Sequence, residues 1–273
     1  MNRSVSRVLL HAALIAGGAI TLFPLVWMIS ASVMPTGEAT SYPPKFFPSS
    51  ITFEHYRDLF TRLDLGKSFL NSTLVAVAVT AISLLLNSMA GYAFAKLRFA
   101  GRERLFGVLI AALVIPTQVG MLPLFLLLKS LGLVNTYWGV IIPGLASIFG
   151  IFLIRQSLLA IPDEILDAAR IDGAGEFRIY WSIVLPLARP ALVTLALFTF
   201  MASWNDFMWP LIVLSDDDKY TLPVSVANLV GEHVQDVELM MASSVLTVVP
   251  VLVLFLMLQK HYIAGLMVGG VKG

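Results

Sequence analysis

The sequence predicts an all-α membrane protein with six transmembrane helices. Two observations carry the prediction, and a third orients it. The 273-residue chain is 58% hydrophobic and 13% charged, whereas soluble domains carry about 25% charged residues. Its apolar residues are gathered into six blocks, each near the ~20 residues that cross a bilayer. Lys and Arg concentrate in alternate connecting segments, which orients the spans.

The runs lie at roughly residues 8–33, 69–95, 105–129, 138–160, 187–214 and 241–262. The first follows Arg3 and Arg7 and exceeds the 7–15 apolar residues of a signal-peptide core, so it reads as an uncleaved span. Residues 34–68 are rich in Pro, Ser and aromatics. Tyr42–Pro43–Pro44 and Phe47–Pro48 mark extended, turning chain, and an amphipathic helix is expected at 54–62. The second run opens at Asn71–Ser72 and holds Asn87; the third carries Pro116, Gln118 and Pro123, the fourth Pro143. Neighbouring helices absorb such proline kinks in a membrane. The fifth run contains Asp206 and Pro210, and a segment mixing acids with Val and Leu follows at 215–240. After the sixth run, residues 263–273 form a tail with Gly265, Gly269, Gly270 and Gly273, expected to order only against a partner. The chain thus divides into 1–68 (first span and external segment), 69–262 (a five-span core) and the tail 263–273.

With both ends inside, the inner side holds Arg3, Arg7, Lys96, Arg98, Arg102, Arg104, Arg155, Arg170, Arg178, Arg189, Lys260 and Lys272, which is twelve. The outer side holds Lys45, Arg57, Arg62, Lys67, Lys129 and Lys219, which is six. That asymmetry puts the amino terminus in the cytoplasm. The absence of Cys excludes disulfides and thiolate chemistry. His11, His55, His233 and His261 are scattered without metal-ligand spacing, so neither metal nor cofactor is expected. A net charge of +1 gives no reason to expect nucleic acid. Gly66–Lys67–Ser68 resembles the end of a phosphate-binding loop, but Thr61 stands where that loop needs Gly. The chain shows no catalytic constellation and is read as a non-enzyme.

Residues 161–186 interrupt the apolar pattern. Pro162–Asp163–Glu164 suits a helix start, since Pro fits a first turn and acids complement the dipole there. Ile165, Leu166 and Ala169 share one side, and Asp172–Gly173 stops the helix. A second helix is expected from about Glu176 to Val184, with Leu185–Pro186 and Arg189–Pro190 turning the chain into the fifth span. Read from physics alone, the segment is equally an ordinary amphipathic connector.

Asp167–Ala168–Ala169, three residues, Gly173, nine residues, then Ile183–Val184–Leu185–Pro186 resembles the "EAA" loop of ABC-importer permeases. Asp167 stands where that family usually has Glu, with the same charge on an arm one methylene shorter. The resemblance extends over residues 69–273 to the smaller, maltose-transporter-type permease of carbohydrate-uptake importers. It is carried by Gly91–Tyr92–Ala93–Phe94–Ala95, Phe99–Ala100–Gly101, Leu131–Gly132–Leu133–Val134–Asn135–Thr136–Tyr137, Ser203–Trp204–Asn205–Asp206 and Gly270–Val271–Lys272–Gly273.

The resemblance implies the type I ABC importer permease fold, with a cytoplasmic coupling helix between the fourth and fifth spans. It implies a second permease, two ATP-binding-cassette ATPases, an extracytoplasmic solute-binding protein, and a place in a bacterial or archaeal inner membrane with both termini cytoplasmic. The expected cargo is a sugar, oligosaccharide or polyol. The expected ATPase contacts are Glu164, Leu166, Asp167, Ala168, Ala169, Arg170, Asp172 and Gly173. For the path through the membrane the candidates are Asn87, Gln118, Trp204, Asn205 and Asp206. Asp206 is the acid placed within a span, where charge is costly. It either lines the route or pairs with another helix, and Asn87 and Gln118 equally suit interhelical hydrogen bonds. A secondary transporter would need no cytoplasmic docking helix and would usually pair intramembrane charges. A non-transporting structural subunit is the other rival reading.

Overall fold

A computed structural model describes residues 3–43, 45–232 and 236–268 of the chain. Its helices are α1 (Arg3–Ala31), α2 (Glu54–Thr61), α3 (Leu65–Lys96), α4 (Arg102–Ala112), α5 (Met121–Ser130), α6 (Tyr137–Ile141), α7 (Ile148–Leu159), α8 (Asp163–Ile171), α9 (Glu176–Ile179), α10 (Leu185–Leu187), α11 (Arg189–Trp204), α12 (Met208–Val213), α13 (Leu222–Glu232) and α14 (Val237–Val268). There is no β-strand among the described residues, as the all-α expectation requires. Among the described residues four helical stretches are long and apolar enough to cross a membrane, or up to six when each of two bent pairs is counted as one span.

The bent pairs depart from the straight spans expected. The run 105–129 is broken: Arg102–Ala112 and Thr117–Ser130 meet at 95°. Pro116 has ψ 130°; proline disfavours helix in the residue before it and offers no N–H to the turn behind. At ~1.5 Å per residue, neither half alone spans ~30 Å. The run 187–214 stops at Trp204 and resumes at Met208, so Asn205 and Asp206 lie in a break and not within a helix. The sixth run is a longer helix than expected, reaching Val268. Gly269, Gly270 and Gly273 of the tail lie outside the described residues.

The chain separates into two compact units, residues 1–66 with 222–250 and residues 67–221 with 251–273. In the first, α1 exposes its apolar side chains along most of its length, the pattern of a helix solvated by lipid. Its end is anchored, with Ala31, Ser32 and Met34 fully buried. Ser32 Oγ meets Tyr56 Oη at 2.9 Å, and His55 Nε2 meets the Met34 carbonyl at 2.8 Å. Glu38 accepts from Lys45 Nζ at 2.8 Å and from the Ser49 N–H at 3.1 Å. Lys45 beside it holds the Glu38 carboxyl below the usual range. The segment between α1 and α2 is therefore folded on its own contacts and on those with α2. Glu238, in the first turn of α14, is fully buried and accepts from the Ala39 N–H at 2.8 Å. It is an acid within a span helix, which the sequence reading placed outside because it started that span at 241.

In the second unit α3 is the spine. It crosses α7 closely at Gly91, where an added Cβ would lie 2.7 Å from Ile154 Cγ2, so a side chain there requires the helices to part. Beyond α7, Tyr92, Ala95, Ile154, Leu158, Leu166, Ile179, Tyr180 and Val184 share one core. At the other end of α3, Asn71 is fully used: its amide donates to the Asp218 and Tyr220 carbonyls, both at 3.0 Å, and accepts from Tyr137 Oη at 2.7 Å.

Candidate functional site

The polar segment between α7 and α11 is a helix, a sharp turn and a second helical stretch. Its geometry follows from a few residues. Asp163 and Glu164 occupy the first turn of α8 and Arg170 the last, each on the side the helix dipole favours. α8 closes with two backbone bonds: Gly173 N–H donates to the Arg170 carbonyl at 3.0 Å and Ala174 N–H to the Ala169 carbonyl at 2.9 Å. This Schellman pairing needs a left-handed residue at its centre, and Gly173 supplies φ +81°. The chain then runs helically from Glu176 through a π turn at Tyr180–Val184 to Leu187 and bends by 79° into α11.

Leu166 is 1% exposed and fixes α8 to the core, with Ala169 and Ala174 packed beside it. Polar ties complete the anchoring. Lys96 Nζ donates to the Ile161 carbonyl at 2.6 Å and to Asp163; its side chain is 5% exposed. Arg170 bridges the turn, donating to Asp167 Oδ1 at 2.7 Å and to Glu176 Oε1 at 2.8 Å. Glu176 Oε2 accepts from Tyr92 Oη. Glu176 and Asp167 hold the Arg170 guanidinium more firmly charged than usual. Arg170 and Tyr92 pull the Glu176 carboxyl below its usual range, and Lys96 does the same for Asp163. Exposed on α8 are Asp163, Glu164, Ile165, Asp167, Ala168 and Ile171, with Asp172 just past its end, and Phe177, Arg178 and Trp181 continue that exposure. Ile171 is 87% and Phe177 71% exposed. Two such apolar groups flanking small residues and acids form a patch suited to burial against another protein.

The same unit holds a cleft of about 770 Å³, lined among others by Gln118, Ser147, Phe149, Phe198, Thr199, Ser203, Asp206 and Trp209. Asp206 stands just before α12 and accepts from the Trp209 N–H at 3.3 Å. Trp209 Nε1 donates to the Gly139 carbonyl at 3.1 Å, fixing the break. Aromatic faces, hydroxyls, one amide and one carboxylate on a concave wall can hydrogen-bond and stack on a polar organic solute.

Residues 83–268 match the family described as binding-protein-dependent transport system inner membrane component. The chain belongs to that family. Its fold is the ABC-importer permease fold, and it is a multi-pass inner-membrane permease subunit. This permease is 41% identical over 257 residues to the arabinooligosaccharides transport system permease protein AraQ of Halalkalibacterium halodurans, covering 93% of this chain and 92% of that one. It is 32% identical over 272 residues to the lactose transport system permease protein LacG of Rhizobium radiobacter, covering 100% and 98%. Among solved structures, it aligns with a chain of a bacterial ABC transporter involved in the import of the acidic polysaccharide alginate. The TM-score is 0.84 and the identity 26%, over 95% of this permease and 98% of that chain.

Glu164, Asp167, Ala168, Asp172 and Gly173 are exposed together on the loop of the permease, with Ala169 and Arg170 half-buried. Leu166, expected among the ATPase contacts, is instead buried in the permease's own core as the most apolar residue of α8's inner side. Gln118 and Asp206 share the cleft. Asn87 does not line it: fully buried, it donates to Ser83 Oγ at 2.6 Å and accepts from the Ser147 N–H at 3.0 Å, joining α3 to the start of α7. Trp204 is 1% exposed, stacked on Phe200 and edge-on to Phe69, so its bulk fills the interior. Asn205 is exposed and also lies off the cleft. Sequence reasoning missed Ile171 and Phe177, exposed apolar residues flanking the turn, and the Tyr92–Glu176 and Lys96–Asp163 ties. Tyr92 and Lys96 stood out only as a family motif and an inner-side charge.

Proposed function

We propose that this permease is one of two membrane subunits of an ATP-driven importer for a sugar or oligosaccharide. Two separate ATPases hold its 161–186 loop in the cytoplasm, and an outer solute-binding protein delivers the cargo. In this reading both termini are cytoplasmic and hydrolysis belongs wholly to the ATPases. The observation that carries it is the loop itself, pinned to the permease by buried Leu166 and by Lys96, Tyr92 and Arg170, while it exposes Ala168, Ile171 and Phe177. A pinned rigid helix with an apolar, small-residue face transmits displacement; an unpinned connector absorbs it. Two-state motion of the spans then follows closure of the ATPase pair. The carbohydrate class follows from the relatives, and the wall of Gln118, Ser203, Asp206 and Trp209 suits hydroxyl-rich solutes.

The test is reconstitution in liposomes with a second permease, the ATPases and a binding protein. Uptake of labelled arabino-oligosaccharides or lactose is followed beside ATP hydrolysis. ATP-dependent uptake that needs every subunit is expected. Uptake driven by an ion gradient without ATPases overturns the reading.

A further inference from the structure

The loop is fastened to α3 at three successive turns. Ser88, Tyr92 and Lys96 are spaced by four residues and fall in one row of α3. Lys96 holds the entry to α8 through Ile161 and Asp163. One turn up, Tyr92 holds Glu176 at the start of the second helix. One turn further, Ser88 Oγ meets Tyr180 Oη at 2.7 Å where the π turn begins. Glu176 and Tyr180 are themselves four apart, so matched rows of α3 and of the loop's second helix face each other in antiparallel order.

We propose that this row makes α3 the third span moved by the loop, with Tyr92 and Lys96 as positioning residues that set the register between loop and span. The inference rests on the function proposed above. The loop is joined by peptide bonds to the spans before and after it, α7 and α11, which move with it in any case. α3 has no such joint near the loop, and only side-chain contacts can carry it along. The apolar core between them is non-directional and permits sliding. Hydrogen bonds are directional and fix one register. A slip of one turn that brings Ser88 opposite Glu176 would face the Tyr180 hydroxyl with Leu84 and take the Lys96 ammonium off the Ile161 carbonyl, and a slip the other way would set Val184 opposite Ser88. Unpartnered buried polar groups are costly, so the row resists the slip.

The test uses the complete transporter. The permease has no Cys, so Leu74→Cys on α3 and Ser182→Cys on the loop, both exposed, carry spin labels that read displacement along the α3 axis. Distances are measured without nucleotide and after trapping with ATP and vanadate. In the otherwise unchanged permease the distance is expected to be the same in both states. In Tyr92→Phe/Lys96→Met, which keeps the ring and the aliphatic arm, a shift of about 5 Å, one helical turn, is expected on trapping. A nucleotide-dependent shift of that size in the unchanged permease, or no shift in the double variant, overturns the proposal. A merely structural role would lower the yield of assembled complex without moving the distance, and that outcome also counts against it. If the ATPases do not co-purify with the unchanged permease, the function proposed above falls first and this inference with it.

Discussion

Gly173 donates its N–H to the carbonyl of Arg170 at 3.0 Å from a left-handed backbone. That bond, with its companion from Ala174, aims the exposed face of α8. No atom lies within 4 Å of an added Cβ at Gly173, so substitution there acts on the backbone alone. Gly173→Val is expected to strain the turn by roughly 1–2 kcal/mol or more. Membrane insertion should persist while ATPase binding or coupled uptake is lost. Gly173→Asn, which tolerates the left-handed region, should retain most uptake; a comparison of uptake per inserted permease checks both.

Leu166 separates anchoring from contact. Leu166→Ala removes a fully buried side chain and should cost about 2–5 kcal/mol locally. Hydrogen exchange of residues 163–174 should rise sharply, with little change in α3. Ala168→Leu, on the exposed side, should leave exchange unchanged and weaken ATPase binding.

The cleft predicts a separation of assembly from transport. Asp206→Asn keeps the shape of the side chain and its acceptor for the Trp209 N–H. Uptake should fall while the assembled complex and basal ATP hydrolysis persist. Asn87→Ala should behave oppositely, lowering assembly, because it deprives the Ser147 N–H of its partner. Quantified complex yield beside uptake distinguishes the two.

The carboxylates of the loop set its pH response. Glu176 and Asp163 both titrate lower folded than free, so the stability they contribute is fully present above the free carboxylate range. It is lost as pH falls through about 4 and down to the depressed folded values. Exchange protection of residues 163–180 should stay level from pH 8 to about 5 and fall below that. Glu176→Gln should blunt the fall.

The parts of the fold legible in the sequence were those set by local pattern. Apolar blocks gave the span regions, and Pro162, Asp163 and Gly173 gave α8 its start and stop, because caps and turns depend on neighbours in sequence. The 95° bend before Thr117 was not legible: Pro116 signals a break, but its angle is set by packing. The row Ser88–Tyr92–Lys96 was hidden because each partner lies at least 65 residues away. Asn87 and Gln118 looked alike as polar residues in apolar runs; only the tertiary structure separates an interhelical bond from a cleft wall. Leu166 and Ile171 looked alike as apolar residues of one helix, yet one is core and the other projects.

The central claim is that the 161–186 loop is where the ATPases hold this permease. Because the chain has no Cys, a single Ala168→Cys can be tested for cross-linking to a cysteine-labelled ATPase in assembled membranes, with Ser215→Cys as the control. The account predicts a permease–ATPase adduct from position 168, altered by ATP, and none from position 215. No adduct from 168 in a complex that still hydrolyses ATP and imports solute would contradict it.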